Sequence, residues 1–415
     1  MEFDVVIVGA GIAGLSCALA LQKKNLTFAI VESGDTPGGR IQTDVIDGFR
    51  LDHGFQVLQT GCPDAQKLLD FKDLKLQKFP AGVAVRYNGQ FHIIADPRHH
   101  PRYILSTLAS PIGTLKDRIC MLRLARSVGQ GSFAQIFSQP EEKTIDFLHN
   151  QGFSEGFVKR FFVPFFAGAC LDPGILASSR VLQYIFRLFA EGDAALPTHG
   201  MGDIPRQLAS KLPKAAIRLN SKVVSIDGTI VSLADGSKII GQKVVIATAQ
   251  PALEQLLKLP SSHSSIGESC LYFAGDWRPP LRDPFLVLNG DGEGPINNMA
   301  FPSLVAPSYS ASGKTLIAVV VLGQKYLGKD DLENQVRSQC LEWFGNAVKN
   351  WDHLHTYHIE HALPNQEPPT PDPYVLPAPL RDNLRVCGEH QSLPGIQWAL
   401  LSGRKTAEII VKELR

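Results

Sequence analysis

The first forty residues contain two apolar runs separated by a stretch with helical spacing. Residues 5–8 and 27–31 are short and almost wholly apolar, and residues 15–24 have apolar side chains at helical intervals. Short runs without polar positions are typical of strands buried on both faces of a parallel sheet. The pattern therefore predicts a strand, a helix and a second, parallel strand at the start of the chain.

Blocks of helical and strand pattern follow. Paired strands with a turn at Asn88-Gly89 are indicated from residue 79, and residues 97–190 are mostly helical in pattern. Strands are indicated over 217–248 and 270–325, a helix over 331–346, an extended proline-rich linker over 364–380, a strand over 384–389 and a helix over 396–414. Because 415 residues are too many for one ordinary core, we expect an α/β protein of two interleaved domains.

Composition excludes several classes of protein. Lys and Arg number 41 and Asp and Glu 40, so a formal charge of +1 gives no global attraction to nucleic acid. The seven cysteines are odd in number and form no CxxC pair, which favours reduced thiols in a reducing compartment. No apolar run reaches the ~18 residues that a membrane span needs. With the first strand starting almost at once, we expect no signal peptide and a cytoplasmic protein, with peripheral membrane contact as the alternative.

A glycine motif joins the first predicted strand to the first predicted helix. Gly9, Gly11 and Gly14 have GxGxxG spacing, and Glu32 follows 18 residues after Gly14. In such motifs the glycines allow a tight turn, close approach of a pyrophosphate and close helix–strand packing. The helix N-terminus attracts phosphate, and an acid at the end of the second strand accepts the ribose hydroxyls. The motif predicts a dinucleotide site, and Glu32 argues against a ribose 2′-phosphate.

Two further motifs narrow the choice of cofactor. Gly38-Gly39-Arg40 follows Glu32 after a short loop, and Gly388-Glu389 precedes a helix that contains Ala399 to Arg404, with the sequence ALLSGR. Two glycines let the loop fold over a pyrophosphate, and arginine offers a planar fork of donors to it. Together with the N-terminal motif, these segments resemble the flavin amine oxidase superfamily, which includes amine oxidases, protoporphyrinogen oxidases and phytoene desaturases. The resemblance covers both ends of the chain and is loose in the middle.

The resemblance implies FAD as cofactor and a Rossmann-like FAD-binding domain of the two-dinucleotide-fold type, interleaved with an α+β substrate domain. The FAD-binding domain would comprise residues 1–78, 196–262 and 381–415, and the substrate domain residues 79–195 and 263–380. From the motifs and by resemblance, the residues expected to contact FAD are Gly9, Gly11, Ile12, Ala13, Gly14, Glu32, Ser33, Gly38, Gly39, Arg40, Gly54, Phe55, Val223, Ala247, Gly388, Glu389, Ile396, Gln397 and Ala399.

The number of nucleotide motifs bears on the reaction. A flavin accepts a hydride at N5, while the protein supplies orientation and charge stabilisation. With a single fingerprint there is no evident second site for a nicotinamide cofactor. We therefore expect electrons to come from an organic substrate and to leave to oxygen or a quinone, and a redox-neutral reaction on reduced flavin stays open.

One position of the C-terminal motif bears on the class of substrate. By resemblance, amine oxidases of the aromatic-cage type have an aromatic residue three positions before the glycine of a Gly-Ala pair. Here Trp398 stands in place of that glycine and Gly395 at the cage position. With the phenylalanine-rich run over 161–166, this favours a bulky apolar substrate such as an isoprenoid, carotenoid or porphyrinogen. The alternatives are an amine or amino-acid oxidase and a flavin-binding protein without turnover.

No catalytic acid or base is identified by motif. His53, His199 and Trp398 are candidates because the resemblance places them in the neighbourhood of the flavin.

Four histidines at 353, 355, 358 and 361 lie close enough in sequence to suggest a metal site. Because a strand would divide them between its two faces, we expect no metal there.

A basic amphipathic pattern covers residues 114–126. Leu115, Ile119 and Leu122 recur at helical spacing with Lys and Arg between them. We expect this stripe to pack on the core with the charges in water, and the alternative is a helix lying on a membrane surface.

Overall fold

The computed structural model of the chain describes residues 2–262, 265–381 and 383–415. Its strands are β1 (Glu2–Val8), β2 (Phe28–Val31), β3 (Thr43–Ile46), β4 (Phe49–Asp52), β5 (Leu58–Gln59), β6 (Gln77–Lys78), β7 (Gly82–Tyr87), β8 (Gln90–Ala95), β9 (Ala194–Leu196), β10 (Ile217–Arg218), β11 (Val223–Asp227), β12 (Ile230–Leu233), β13 (Lys238–Ile246), β14 (Ser265–Gly275), β15 (Leu286–Asn289), β16 (Ile296–Ala300), β17 (Thr315–Leu322), β18 (Asp352–Pro364) and β19 (Leu384–Val386).

The α-helices alternate with these strands at both ends of the chain and cluster in the middle. They are α1 (Ile12–Gln22), α2 (Pro63–Leu68), α3 (Ile104–Ala109), α4 (Leu115–Val128), α5 (Phe133–Phe137), α6 (Thr144–Asn150), α7 (Glu155–Phe157), α8 (Val163–Cys170), α9 (Ser179–Glu191), α10 (Asp203–Ser210), α11 (Gln250–Leu257), α12 (Pro302–Val305), α13 (Leu332–Phe344) and α14 (Ile396–Glu413).

The first large sheet has the strand order β10-β2-β1-β13-β12-β11, and β19 pairs with β13. β1 runs parallel to both β2 and β13, so the predicted strand–helix–strand unit is present. Its centre is buried on both faces, as the apolar runs indicated, with Val5, Val6 and Ile7 fully buried. The first and last helices, α1 and α14, pack against each other, which brings the two ends of the chain together.

The second large sheet has the order β18-β14-β17-β16-β15-β7-β8 and is antiparallel except where β15 meets β7. Alternate residues of β14 pack into two different hydrophobic cores. Cys270 and Tyr272 belong to the core shared with the first sheet, whereas Leu271 and Phe273 pack toward α13. The two sheets take their strands from alternating parts of the chain, and the domain boundaries given above stay a prediction.

One element differs from its prediction. In α4 the side chains that face the core are Asp117, Cys120, Leu124 and Val128, and the stripe that begins at Leu115 is exposed. The reason is a tertiary contact. The Asp117 carboxylate accepts hydrogen bonds from the backbone and side chain of Ser154, which holds the more polar stripe inward. The expectation that residues 115, 119 and 122 pack on the core is therefore wrong.

The histidine-rich segment is a strand, β18, as expected from its alternation. His358 bonds Ser269 on the neighbouring strand at 2.9 Å, while His355 contacts the ring of Tyr357. Among the described residues no group of three or more His, Cys, Asp or Glu side chains could hold a metal ion. Within the same residues no helix has both the length and the apolar character needed to cross a bilayer.

Candidate flavin site

The glycine loop between β1 and α1 combines close packing with open space. Gly9 has a φ of +106°, and a Cβ there would lie 2.9 Å from the Ala247 carbonyl oxygen. A Cβ on Gly14 would lie 3.2 Å from the Ala247 side chain and would overlap the Gly9 carbonyl. Around Gly11, by contrast, a Cβ would meet no described atom within 4 Å. The fold therefore requires glycine at 9 and 14, whereas at Gly11 the backbone faces a space that a ligand can enter.

Glu32 and the Gly38-Gly39 turn lie beside this loop. The Glu32 carboxylate accepts hydrogen bonds from Ala10 N at 2.8 Å and from Gly34 N at 2.9 Å. Gly38 donates its N–H to the Ala10 carbonyl at 3.0 Å, which lays the second glycine segment along the first. The structure thus places a carboxylate and two glycine turns around the N-terminus of α1.

Arg40 and Glu389 bring the two ends of the sequence into one contact. Their side chains form an ion pair in which Glu389 is buried and Arg40 is partly exposed. Arg40 also donates to the Ala362 carbonyl at 2.7 Å, and Glu389 accepts from Gly395 N, at the start of α14, at 2.7 Å. An arginine, an acid and a helix N-terminus therefore meet next to the glycine loops.

Several buried polar atoms in these segments have no hydrogen-bond partner among the described residues. They include the Thr248 hydroxyl after β13, the side-chain amide oxygen of Gln56, His390 Nε2 and the Ser392 hydroxyl. Burial, and then the nearby charge of Arg40, lower the pKa of His390 to about 4. Buried polar groups normally have partners, so unsatisfied ones in these segments fit a polar ligand such as the phosphates and ribityl chain of FAD.

The turn at Gly54 is anchored by Asp52. The buried Asp52 carboxylate accepts hydrogen bonds from Met201 N at 2.9 Å and from the Tyr309 hydroxyl at 2.8 Å. Burial raises the pKa of Asp52 to about 6, although its hydrogen bonds oppose the rise. The Tyr272 hydroxyl donates to the Asp52 carbonyl at 3.0 Å, so the turn is fixed to the second sheet.

A second acid, Glu268, was missed by the sequence analysis. It lies on β14 opposite Leu322 and Ile359, and its carboxyl group packs directly against Gly54, where φ is +86°. Glu268 is 6% exposed, and burial raises its pKa to about 7. No local motif marks it, because its neighbour Gly54 lies more than two hundred residues earlier in the chain.

The three catalytic candidates lie apart. His53 Nε2 bonds Asp44 at 2.9 Å and its ring contacts Tyr357, whereas Trp398 is buried in a different cluster of aromatic rings. His199 is exposed in the loop before α10. No contact joins the three in the described part of the chain, so their catalytic role stays a prediction.

The remaining predicted FAD contacts are spread over the same region. Gln397 is an exception in its side chain, because both ends of its amide bond Asp64 on α2 at 2.8 Å. Any contact of Gln397 with the cofactor would therefore come from its backbone. The others lie in the first turn of α1, after β2, after β4, at the start of β11 and in the first turn of α14, and they are Ile12, Ala13, Ser33, Phe55, Val223, Ile396 and Ala399.

Comparison with known proteins identifies the group to which this arrangement belongs. The model of the flavin-containing amine oxidoreductase family matches residues 12–411, which is nearly the whole chain. This chain belongs to that family. Membership confirms the predicted superfamily, the FAD cofactor and the oxidoreductase class.

Individual relatives agree with the family but cover little sequence. Hydroxyneurosporene desaturase of Rubrivivax gelatinosus is 46% identical over 50 residues, which are 12% of this chain and 10% of the relative. Protoporphyrinogen oxidase 2 of Arabidopsis thaliana is 31% identical over 84 residues, which are 20% of this chain and 16% of the relative. These matches cover less than a fifth of each relative's own length.

A solved structure of wild-type putrescine oxidase bound to putrescine superimposes with a TM-score of 0.72 at 16% identity, covering 99% of both chains. Identity at this level shows the fold, and it confirms the predicted FAD-binding amine oxidase architecture. The family members thus range from desaturases to amine oxidases, and the class of substrate needs a separate argument.

Proposed function

We propose that this FAD-dependent oxidoreductase takes a hydride from a bulky apolar organic substrate and passes the electrons to oxygen or a quinone. The observation that carries the proposal is the environment of Trp398 at the start of α14. Trp398 is 1% exposed, and its ring centroid lies 4.9 Å from that of Tyr184 and 5.3 Å from that of Phe137. Aromatic side chains from the helical segment therefore extend to the helix that begins beside Glu389.

The cage position of amine oxidases supports the same conclusion. Gly395 stands there, with a φ of +119° and no described atom within 4 Å of the place a Cβ would take. In amine oxidases of the aromatic-cage type, by resemblance, an aromatic ring at this position faces the amine, and such faces attract cations. Glycine supplies none, so an apolar substrate fits the chain better than an amine.

Phenylalanines just before α8, in α8 and in α9 add an extended apolar surface. Phe161 and Phe165 stack with centroids 5.6 Å apart, and Phe165 contacts Phe189 at 5.6 Å. Phe165 is half-buried and Phe189 is 36% exposed, so the series runs from the core to the surface. Apolar and aromatic side chains are the usual lining of sites for bulky organic ligands.

The cofactor and the side chains around it would have separate roles in the site. FAD, when bound, supplies the hydride acceptor. The N-terminus of α1 and Arg40 would hold the pyrophosphate, and Glu32 would hold the ribose of the adenosine. Glu268 lies at the turn formed by Gly54, where burial raises the pKa of its carboxyl group to about 7.

Anaerobic mixing of the flavin-loaded protein with candidate substrates tests the proposal. Polyenes, isoprenoids or porphyrinogens are expected to bleach the oxidised flavin, and amines are expected to leave its spectrum unchanged. Bleaching by amines alone, with release of peroxide in air, would instead establish an amine oxidase. A flavin that no compound of either class reduces would indicate a binding protein without turnover.

A further inference from the structure

The helix α4 has two opposite stripes of side chains, and the more hydrophobic one faces water. Leu115 is 68%, Ile119 44% and Leu122 71% exposed. At 100° per residue these positions share one face of the helix, on the side away from the buried Asp117 and Leu124. Exposure of the leucine stripe is unusual, because amphipathic surface helices normally bury it.

The preceding helix, α3, also exposes large apolar side chains. In α3, Ile104 is 39%, Leu105 80% and Leu108 52% exposed, and no residue of the helix is buried. Six of the thirteen exposed large hydrophobic side chains of the described chain thus lie between residues 104 and 122. Isolated exposed leucines need no explanation, whereas a concentration of this kind marks an interaction surface.

The charges beside the stripe have one sign. Lys116 and Arg123 flank it on one side, Arg118 on the other, and Arg126 follows in the last turn. The acid of this helix, Asp117, is fully buried and is occupied by hydrogen bonds from Thr114 and Ser154. Within the described residues Lys116, Arg123 and Arg126 pair with no acid, so they are available to anions outside the chain.

We propose that the α3–α4 face, formed by residues 104–126, docks on the surface of an anionic lipid bilayer. Leu105 and Leu122 would enter the boundary between headgroups and acyl chains, and the flanking Lys and Arg would meet lipid phosphates. A second copy of the chain is a poorer occupant, because it would bring four cations against four cations.

Flotation of the FAD-loaded full-length protein with lipid vesicles tests the proposal. Binding is expected to phosphatidylcholine vesicles that contain phosphatidylserine, to be weak without phosphatidylserine, and to fall as salt rises. Leu122→Asp is expected to weaken binding about tenfold or more through the lost apolar insertion. Arg123→Gln is expected to weaken it about fivefold through one lost charge.

Val45→Asp is the matched control, because Val45 is 69% exposed but lies on β3, far from residues 104–126 in the chain. This variant should bind vesicles as the wild type does. Equal loss of vesicle binding in Leu122→Asp and Val45→Asp overturns the proposal. Wild-type protein that does not bind anionic vesicles overturns it too. So does a wild-type dimer in sedimentation that Leu122→Asp dissociates, since the face would then join two copies. Because flotation does not depend on turnover, it is independent of the proposed substrate.

Discussion

Gly403 of α14 lies against the backbone of Ala13 in α1. A Cβ on Gly403 would stand 2.9 Å from the Ala13 carbonyl carbon and 3.0 Å from Cys17 N, and would overlap the Ala13 carbonyl oxygen. The two helices come from opposite ends of the sequence, and each begins at a segment that surrounds the flavin site. Their close approach is what brings the glycine loop near Gly388-Glu389.

Gly403→Ala is expected to destabilise the protein by about 1–3 kcal/mol or more, because the added methyl group forces two backbones apart. Urea unfolding of the FAD-free protein measures the change. Gly156→Ala is the control, since Gly156 is helical and a Cβ there meets Arg160 at an ordinary 3.5 Å. It should be neutral or slightly stabilising. Equal effects of the two substitutions would contradict the close approach of the helices.

Gly11→Val should separate cofactor binding from folding. The φ of Gly11 is −70° and its Cβ position is free, so valine fits the fold but fills the space beside the helix N-terminus. We expect an unchanged melting temperature of the FAD-free protein and FAD binding weakened about tenfold or more, since hydrogen bonds to a charged phosphate are lost. Flavin absorbance after gel filtration measures retention.

Gly9→Ala provides the contrast, because its positive φ and the nearby Ala247 carbonyl make any side chain a strain on the fold itself. This variant should lose stability even without FAD. Full FAD retention in Gly11→Val would show that the cofactor does not approach this part of the loop.

The parts of the site that could be predicted from sequence are those encoded locally. Gly9, Gly11 and Gly14 lie within six consecutive residues that lead from β1 into the first turn of α1, so their spacing alone indicates the packing that the structure shows. Glu268 and Asp64 carry no such signal. Asp64 bonds Gln397, which is 333 residues away, and such a pairing exists only once the chain is folded.

The exposed face of α4 shows a different limit. Hydrophobic periodicity correctly indicated a helix, but it assigned the core to the stripe of Leu115 and Leu122. Which stripe is buried depends on Ser154, which donates hydrogen bonds to the Asp117 carboxylate from the residue just before α7. Local periodicity measures the contrast between faces of a helix, and tertiary hydrogen bonds decide which face turns inward.

Tyr309→Phe is expected to lower the free energy of unfolding by about 1 kcal/mol or more, because the buried Asp52 carboxylate loses a donor. The same loss should raise the pKa of Asp52 further, since this hydrogen bond stabilises the ionised form. Urea unfolding at neutral pH measures the first effect. Tyr87→Phe is the control, because the Tyr87 hydroxyl has no hydrogen bond among the described residues. If the Tyr309→Phe protein is as stable as this control, Asp52 does not anchor the Gly54 turn.

Glu268 should make stability depend on pH. Its pKa is raised by burial from 4.5 to about 7 in the folded protein. Between these values the folded state holds a proton that the unfolded state has released, so stability falls as pH rises through this window. Since the pKa rises from 4.5 to about 7, the loss of stability attributable to Glu268 is about 3 kcal/mol. Asp52, raised from 3.8 to about 6, acts with the same sign at lower pH.

Glu268→Gln isolates the contribution of this one carboxyl group, because glutamine resembles the protonated acid in size and carries no charge at any pH. Urea unfolding of the FAD-free wild type and variant, measured at steps across the window, should show similar stability near its acidic end. Near its neutral end the variant should be the more stable, by up to about 3 kcal/mol. Parallel pH curves for the two proteins would mean that Glu268 is already ionised or already solvated in the folded state. The close packing of the Glu268 carboxyl group against Gly54 would then not keep that group neutral. Glu268 could then not hold a proton in the site.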